Sequence, residues 1–505
     1  MEDILQREEE LLKIAGLSDA ERLHYLEDAI IRMIDQSSRV QKTLDETKHL
    51  ELLHWLSSSP FTRHHETLSE TRMPNSATWV LDHPEFRDWK NSSTSSILLL
   101  HGIPGSGKSN ICSAVVDSFL AQQAGNPLAA PVAYFYCDDC EFEPERAEAA
   151  NVMRSILRQL TITTSRQPAV RDMILSKFDQ RLSQSKVDGM DMPRLSTKDC
   201  VKLVLDVTAV DPITIVVDAL DTVNERDRPE LVNALVDIVA RASSVVKVFL
   251  TSRKNSHVFS LLQDGEIQAH SSVTGQTVQV SFKNIEVNPD DSLKDMKAYV
   301  KLAIAQAVND RRLLKEDPSP ELSDRLAKQL VLGAGEMFQW VNVQIEYLCR
   351  LKTEEDIMTA LDGGTMATLD DMYSLILEQI FRGGGTSRQI AVQAFSWLLY
   401  MKEALPVDVF LAAIFASETI TEPTKSREQL LTICSHLLLF DSRCNTFRFC
   451  HQSVQEFLRK QDHFTPATAQ RVLSVRCLGI CMDGPPINGM PSDNASTLYQ
   501  YAALY

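Results

Sequence analysis

The first sixty residues place leucines and isoleucines at three- and four-residue steps among charges. "LQREEELLKIAG" and "DAERLHYLEDAIIRMIDQSSRVQKTLDETKHLELLHWL" both follow that rule, which is the spacing of an amphipathic helix. Residues 1–60 are therefore predicted to be an N-terminal helical segment packed on its neighbour. From about residue 61 the pattern changes to short unbroken apolar runs separated by amphipathic stretches. Leu98–Leu100, Val132–Tyr136, Ile213–Val217 and Val245–Leu250 predict strands, with Val278–Val287 as a fifth. Ser109–Leu120, Arg146–Leu160 and Pro229–Arg241 predict the helices between them. Strands that are apolar on both faces and alternate with helices imply a parallel sheet covered on both sides.

After residue 288 the strand pattern largely stops. Helices are predicted at Leu293–Ala307, Leu322–Val331, Met337–Leu351, Leu369–Ile380 and Gln389–Leu399. "LPVDVFLAAIFA", "SREQLLTICSHLLLF", "TFRFC" and "QSVQEFLRKQ" then predict helix, helix, short strand and helix, the order of a small winged-helix unit. The expected division is a helical segment at 1–60, an α/β domain at 61–287, a helical domain at 288–400 and a winged-helix domain at 401–463. A further helical region at 464–505 ends on "LYQYAALY", as if inside a domain. The expected fold class is an α/β domain, with a parallel sheet and helices on both faces, followed by the helical and winged-helix domains.

Composition narrows this little. Of 505 residues, 44% are apolar and 24% charged, ordinary globular proportions. The net charge of −17 and the lack of a strong Lys/Arg cluster argue against a nucleic-acid binder. No apolar run approaches the ~18–20 residues that span a bilayer. "EDILQREEE" after Met1 is the opposite of a basic signal-peptide start, so a cytoplasmic location is the default expectation. Among ten cysteines only Cys137 and Cys140 form a C-x-x-C pair. No second pair accompanies it, so it is read as structural.

The chemistry is carried by "LLLHGIPGSGKSNICSAVV". Gly102, Gly107, Lys108 and Ser109 fill the fixed places of G-x-x-x-x-G-K-S, and the loop leaves a predicted strand and opens a predicted helix. The glycines leave backbone N–H groups free to face phosphate oxygens, and the helix start adds partial positive charge. Gly102, Ile103, Pro104, Gly105, Ser106, Gly107, Lys108, Ser109 and Asn110 are the candidate phosphate cradle, with Lys108 on the β- and γ-phosphates and Ser109 on Mg²⁺. With this loop the α/β domain at 61–287 is expected to be a P-loop NTPase nucleotide-binding domain, the plain alternative being a glycine-rich strand–helix turn.

Asp218 ends the apolar run "ITIVV" at the sheet's carboxyl edge, where open α/β sheets bind ligands, and is the second candidate metal residue. Asp221 is a candidate for orienting the attacking water. Arg253, in "VFLTSRKN", reaches the same edge as a candidate γ-phosphate sensor. Asp218 as a turn cap and Arg253 as a solvated cation after a helix cap are the ordinary alternatives.

"HGIPGSGKS", "VAYFYCDD", "SILRQL", "IVVDALDTV", "FLTSR", "MFQWVNVQIEYL", "LDDMYSLILEQI", "AFSWLLYM" and "FRFCHQSVQEFL" occur in that order. The series resembles the fungal NACHT-domain proteins, signal-transduction P-loop NTPases of the NOD-like-receptor type that commonly carry ankyrin or other repeats further on. The resemblance covers residues 50 to 505. It implies a switch closed with ADP and opened by ATP, GTP being the second candidate, with Mg²⁺ as cofactor. The open form would be a homo-oligomer, with an effector and trigger that no motif here names.

By the same likeness His451 matches the winged-helix histidine that touches the β-phosphate in the closed state. A packed histidine before a helix is the alternative. The chain departs from relatives at Thr222, where "D-A-L-D-E" has its Glu, which implies slow or lost hydrolysis. Ser76 and Ala77 stand at flexible positions of the relatives' P-G-T-G-x-W, near the base contacts at Thr78 and Trp79. Glu336 takes a usual Gly place and Met366 a usual Pro place. Two other readings stay open. One is a scaffold with a hydrolysis-dead site. The other is a housekeeping P-loop ATPase or kinase, for which no arginine finger or Arg-rich lid is recognisable.

Overall fold

The computed structural model describes residues 47–504. Within that span it leaves out residues 127, 139–142, 164–167, 254–257, 259–260, 263–267, 271–276, 315, 317, 352, 363–368, 383–384, 416–422, 436, 442–444 and 484–492. The helices expected over residues 1–46, together with Cys140 and Met366, lie outside the described residues.

Two compact units are present. One takes in the chain as far as Ser58 together with Gln167–Arg194; the other is Ser59–Arg166 with Leu195–Tyr505. In the first, residues 47–56 are helical and pack against the helix Pro168–Asp188. Trp55 sets its ring edge-on to Phe178 at 5.4 Å between centroids. The Trp55 indole N–H donates to the Pro193 carbonyl at 3.2 Å, and Lys48 pairs with Asp179 at 2.7 Å. Pro168–Asp188 thus interrupts the expected 61–287 stretch and groups with the N-terminal residues.

The second unit begins with α1 (Phe61–Thr71), α2 (Trp79–Asp82) and α3 (Pro84–Asn91), then β1 (Ser96–Gly102), α4 (Lys108–Gly125) and β2 (Val132–Tyr136). It continues through α5 (Ala149–Thr163), α6 (Thr197–Thr208), β3 (Ile213–Asp218), α7 (Arg228–Arg241) and β4 (Val246–Arg253). The sheet order is β2-β3-β4-β1, with β7 (Ser281–Glu286) on the far side of β1, all parallel. Every residue of β1, β2 and β3 is buried, as central strands of a covered sheet must be. Helices start where the local chemistry permits: α6, for example, opens on a capping box in which Ser196 and Asp199 exchange side chain-to-backbone bonds.

The predicted fifth strand is split. Gln268–His270 (β5) and Thr277–Gln279 (β6) make a separate antiparallel hairpin, and only Ser281–Glu286 joins the main sheet. Its partly polar pattern suits an edge strand, which packs on fewer neighbours.

A helical region follows: α8 (Pro289–Asn309), α9 (Pro320–Ala334), α10 (Phe338–Leu348), α11 (Glu354–Asp362), α12 (Leu369–Arg382) and α13 (Gly385–Tyr400). Gly333 on α9 lies under the Trp340 ring; a Cβ there would come within 2.4 Å of it. Next are α14 (Val407–Ile414), α15 (Pro423–Ile433), the antiparallel pair β8 (Leu438–Asp441) and β9 (Thr446–Phe449), and α16 (Gln452–Arg459). The run "HLLLF", predicted to close a helix, supplies β8 instead. An apolar stretch that short does not distinguish helix from strand by periodicity. α17 (Pro466–Asp483) and α18 (Asp493–Leu504) complete the described chain, and no described helix is long and apolar enough to cross a membrane.

Candidate nucleotide-binding site

The loop between β1 and α4 sits at the carboxyl edge of the sheet. Gly105 and Gly107 both have φ +80°, the left-handed region that glycine enters without strain. Each glycine also has a protein neighbour. A Cβ on Gly102 would meet Val287 at 3.1 Å, and one on Gly105 would meet the Cβ of Gln339 at 3.1 Å. Gly107 caps α4, so the N–H groups of Lys108 and Ser109 open the helix without an intrahelical acceptor. Lys108 folds over the loop and donates from Nζ to the carbonyls of Ile103 at 2.7 Å and Gly102 at 3.1 Å. Burial lowers its pKa to about 8, against the pull of Asp221 and Asp218. Pro104 lies in the same loop, Ser106 is buried within it, and Asn110 occupies the first turn of α4.

The acids come from the end of β3 and the cation from the end of β4. Because β4 lies between β1 and β3, Gly102 stands level with Arg253. Asp218 ends β3 fully buried. Burial raises its carboxyl pKa, and hydrogen bonds from Ser109 and Thr251 offset part of that rise. Thr251 also accepts the Ala219 N–H at 2.8 Å. Ala219 has φ +52°, an uncommon conformation for a residue with a Cβ, and the tight turn it makes carries Asp221 round to β4. There Asp221 accepts the Arg253 backbone N–H at 3.0 Å and pairs with its Nε at 3.0 Å. The carboxylate expected to orient water therefore holds Arg253. Thr222, at the relatives' Glu place, uses its hydroxyl to bond the Ala219 carbonyl at 2.8 Å.

Two later segments reach this edge. The first residue of α10, Phe338, donates its N–H to the Gly105 carbonyl at 2.9 Å, and its ring lies beside Gly107. Arg253 donates to Glu456 and Gln452 on α16. His451 precedes that helix and caps it, its Nδ1 accepting the Ser453 N–H at 3.0 Å. An accepting Nδ1 leaves the ring proton on Nε2, as a donor. Burial, then the charges of Arg253 and Lys108, bring the imidazole pKa down to about 4, with Glu456 opposing. It is therefore neutral across the physiological range.

A partly buried polar chain leads to that ring. The Ser453 hydroxyl is 2.7 Å from His451 Nδ1 and 2.8 Å from the Tyr373 hydroxyl. Tyr373 bonds Gln339, the Asn342 amide donates to Gln339 at 3.4 Å, and the Tyr299 hydroxyl donates to Asn342 at 2.5 Å. The contacts run from α8 through α10 and α12 to His451.

On the side of α2, Asn75 and Ala77 hold φ +59° and +60°. Of the two positions expected to be flexible, Ala77 takes a positive φ and Ser76 does not; Asn75 does. The Ala77 N–H is held by Asp295 of α8.

The donor set suits a polyphosphate and a hard divalent cation. Ser109 and Asp218 already meet as oxygen ligands of the kind Mg²⁺ takes, next to a lysine and a helix start. The structure brings the loop, Asp218, Asp221, Arg253 and His451 to one edge. Gln339, Gln452 and Glu456 were not singled out from the sequence. Gln452 and Glu456 share a helix face at i and i+4 directly after His451, which is the signal that could have found them.

A family profile described as "Nephrocystin 3, N-terminal" matches residues 75–253, the stretch from the Asn75 turn to Arg253. The vegetative incompatibility protein HET-E-1 of Podospora anserina is 21% identical over 386 residues, covering 76% of this chain; the chain spans only 26% of that protein. Among solved structures, a Walker-type ATPase of Pyrococcus abyssi matches 80% of this chain and 99% of its own at 16% identity and TM-score 0.32. A signal-transduction ATPase with a tetratricopeptide repeat sensor from Pyrococcus horikoshii matches 78% of this chain and 44% of its own at 14% identity and TM-score 0.33. The motif series and the sequence matches make the chain similar to the fungal NACHT-domain proteins.

Proposed function

We propose that the chain is a nucleotide-switched signalling NTPase that binds ATP, or GTP, with Mg²⁺ and couples exchange and slow hydrolysis to opening and self-assembly. In this reading Gly102–Asn110 hold the phosphates, Lys108 the β- and γ-phosphates, Ser109 and Asp218 the metal, and His451 Nε2–H the β-phosphate of the closed form. Mg²⁺ would supply charge neutralisation between phosphate oxygens. The observation that carries the reading is that α10, from the helical domain, and α16, from the winged-helix unit, both touch the phosphate-loop edge. A ligand at that edge therefore has a different set of contacts when either segment lifts away, and a switch requires differential binding of that kind.

Thr222 favours a second reading, a nucleotide-binding scaffold without turnover, because its hydroxyl is bonded to Ala219 and no carboxylate stands in its place. One preparation tests both. Nucleotide released by denaturing the purified chain is identified and counted, and sedimentation is compared with diphosphate and with a non-hydrolysable triphosphate. Near-stoichiometric nucleotide and larger assemblies with the triphosphate support the switch. Bound nucleotide with no hydrolysis and no change in sedimentation supports the scaffold. Absence of nucleotide and of nucleotide affinity rules out both.

A further inference from the structure

Arg253 is held on two sides. Asp221 takes its Nε and its backbone N–H from within the sheet edge. From α16, Glu456 takes NH1 through Oε2 at 2.9 Å and NH2 through Oε1 at 2.5 Å, and Gln452 Oε1 accepts from NH2 at 3.1 Å. A guanidinium has five N–H donors in a rigid fork. One on Nε, one on NH1 and both on NH2 are engaged here, so at least four are in use. The fork suits carboxylate and phosphate equally well.

We propose that Glu456 sets the choice between nucleoside diphosphate and triphosphate, by occupying on Arg253 the paired donor positions that a terminal phosphoryl group would otherwise take. The proposal rests on the nucleotide reading above and adds a residue to it. Asp221 fixes the guanidinium at the strand end, so the side chain cannot turn to serve Glu456 and a phosphate together. Docking of α16 and binding of a third phosphate then compete for one cation. Gln452, one turn before Glu456 on the same face, deepens the docked arrangement. The Glu456 side chain is 36% exposed, so once displaced it returns to water at little cost.

The test is equilibrium titration of the full chain with fluorescent ADP and a β,γ-imido ATP analogue in Mg²⁺, repeated with the guanine pair. Wild type, Glu456→Gln, Arg253→Gln and the double variant are compared. Glu456→Gln is expected to shift the ratio of triphosphate to diphosphate affinity about tenfold toward triphosphate, the scale of a charge-assisted hydrogen-bond pair. The same change made in the Arg253→Gln background should shift nothing. An unchanged ratio in Glu456→Gln, with both nucleotides bound by wild type, overturns the role of Glu456 and leaves the nucleotide site standing. A wild type that binds neither nucleotide overturns the site and this proposal with it. Hydrogen exchange on wild type needs no variant: the amides of α16 should exchange faster with the triphosphate analogue than with ADP, and equal exchange overturns the proposal.

Discussion

The backbone N–H of Ala77 donates to the Asp295 carboxylate at 2.6 Å, joining the turn before α2 to helix α8 across 218 positions of sequence. Ala77 is buried and sits in the left-handed region, so its N–H has little access to water. Asp295→Ala leaves that donor unsatisfied and is expected to cost about 1–3 kcal/mol. Asp295→Asn keeps an oxygen acceptor and should cost less. Urea unfolding of the two variants decides the matter; equal losses would mean the contact carries no weight.

Lys108→Ala should leave the purified chain without nucleotide. The lysine is the loop's own cation, and without it helix-start N–H groups alone face a polyphosphate. The measurement is nucleotide content after gel filtration and denaturation. Wild-type content in the variant would take the loop out of the site.

His451 makes stability depend on pH in a stated direction. Its pKa is about 4 in the folded chain against 6.5 for an unperturbed histidine. The unfolded state therefore binds the extra proton first. The stabilising contribution is complete above about pH 6.5 and is lost as pH falls through about 4. His451→Asn retains a good helix cap without a titrating group, so its melting temperature should fall less over that interval. His65, whose pKa burial also lowers despite Asp117, remains in both proteins and cancels in the comparison. Identical pH profiles would remove His451 from the titration.

Gly333→Ala sets helix propensity against packing. Alanine gains about 1 kcal/mol in a helix. Its Cβ, however, would lie 2.4 Å from the Trp340 ring, which is buried. Overpacking of that kind costs about 1–3 kcal/mol, so a net loss of stability is expected. A rise in melting temperature would show that the ring relocates freely.

The core of the α/β domain was legible because its signals are local. The runs at β1, β3 and β4 are apolar on both faces, and the phosphate loop has a fixed spacing. The glycines of that loop were read as space for a ligand alone; Val287 and Gln339 give two of them protein reasons as well. What escaped has no local period. The helix Pro168–Asp188 has no clear apolar stripe and was not among the helices expected, and nothing in its sequence says that it groups with residues 47–58. Glu456 meets Arg253 across 203 positions, and such a pairing is fixed only once α16 is placed.

The hydrogen-bonded series from Tyr299 to His451 draws on four separate helical segments. Parting two neighbours breaks the hydrogen bond between them and leaves its donor and acceptor without a partner, whereas a half-open arrangement keeps that penalty without admitting enough water to relieve it. Intermediate positions are thereby disfavoured on energetic grounds. Any separation of these helices is therefore expected to be all-or-none rather than by degrees.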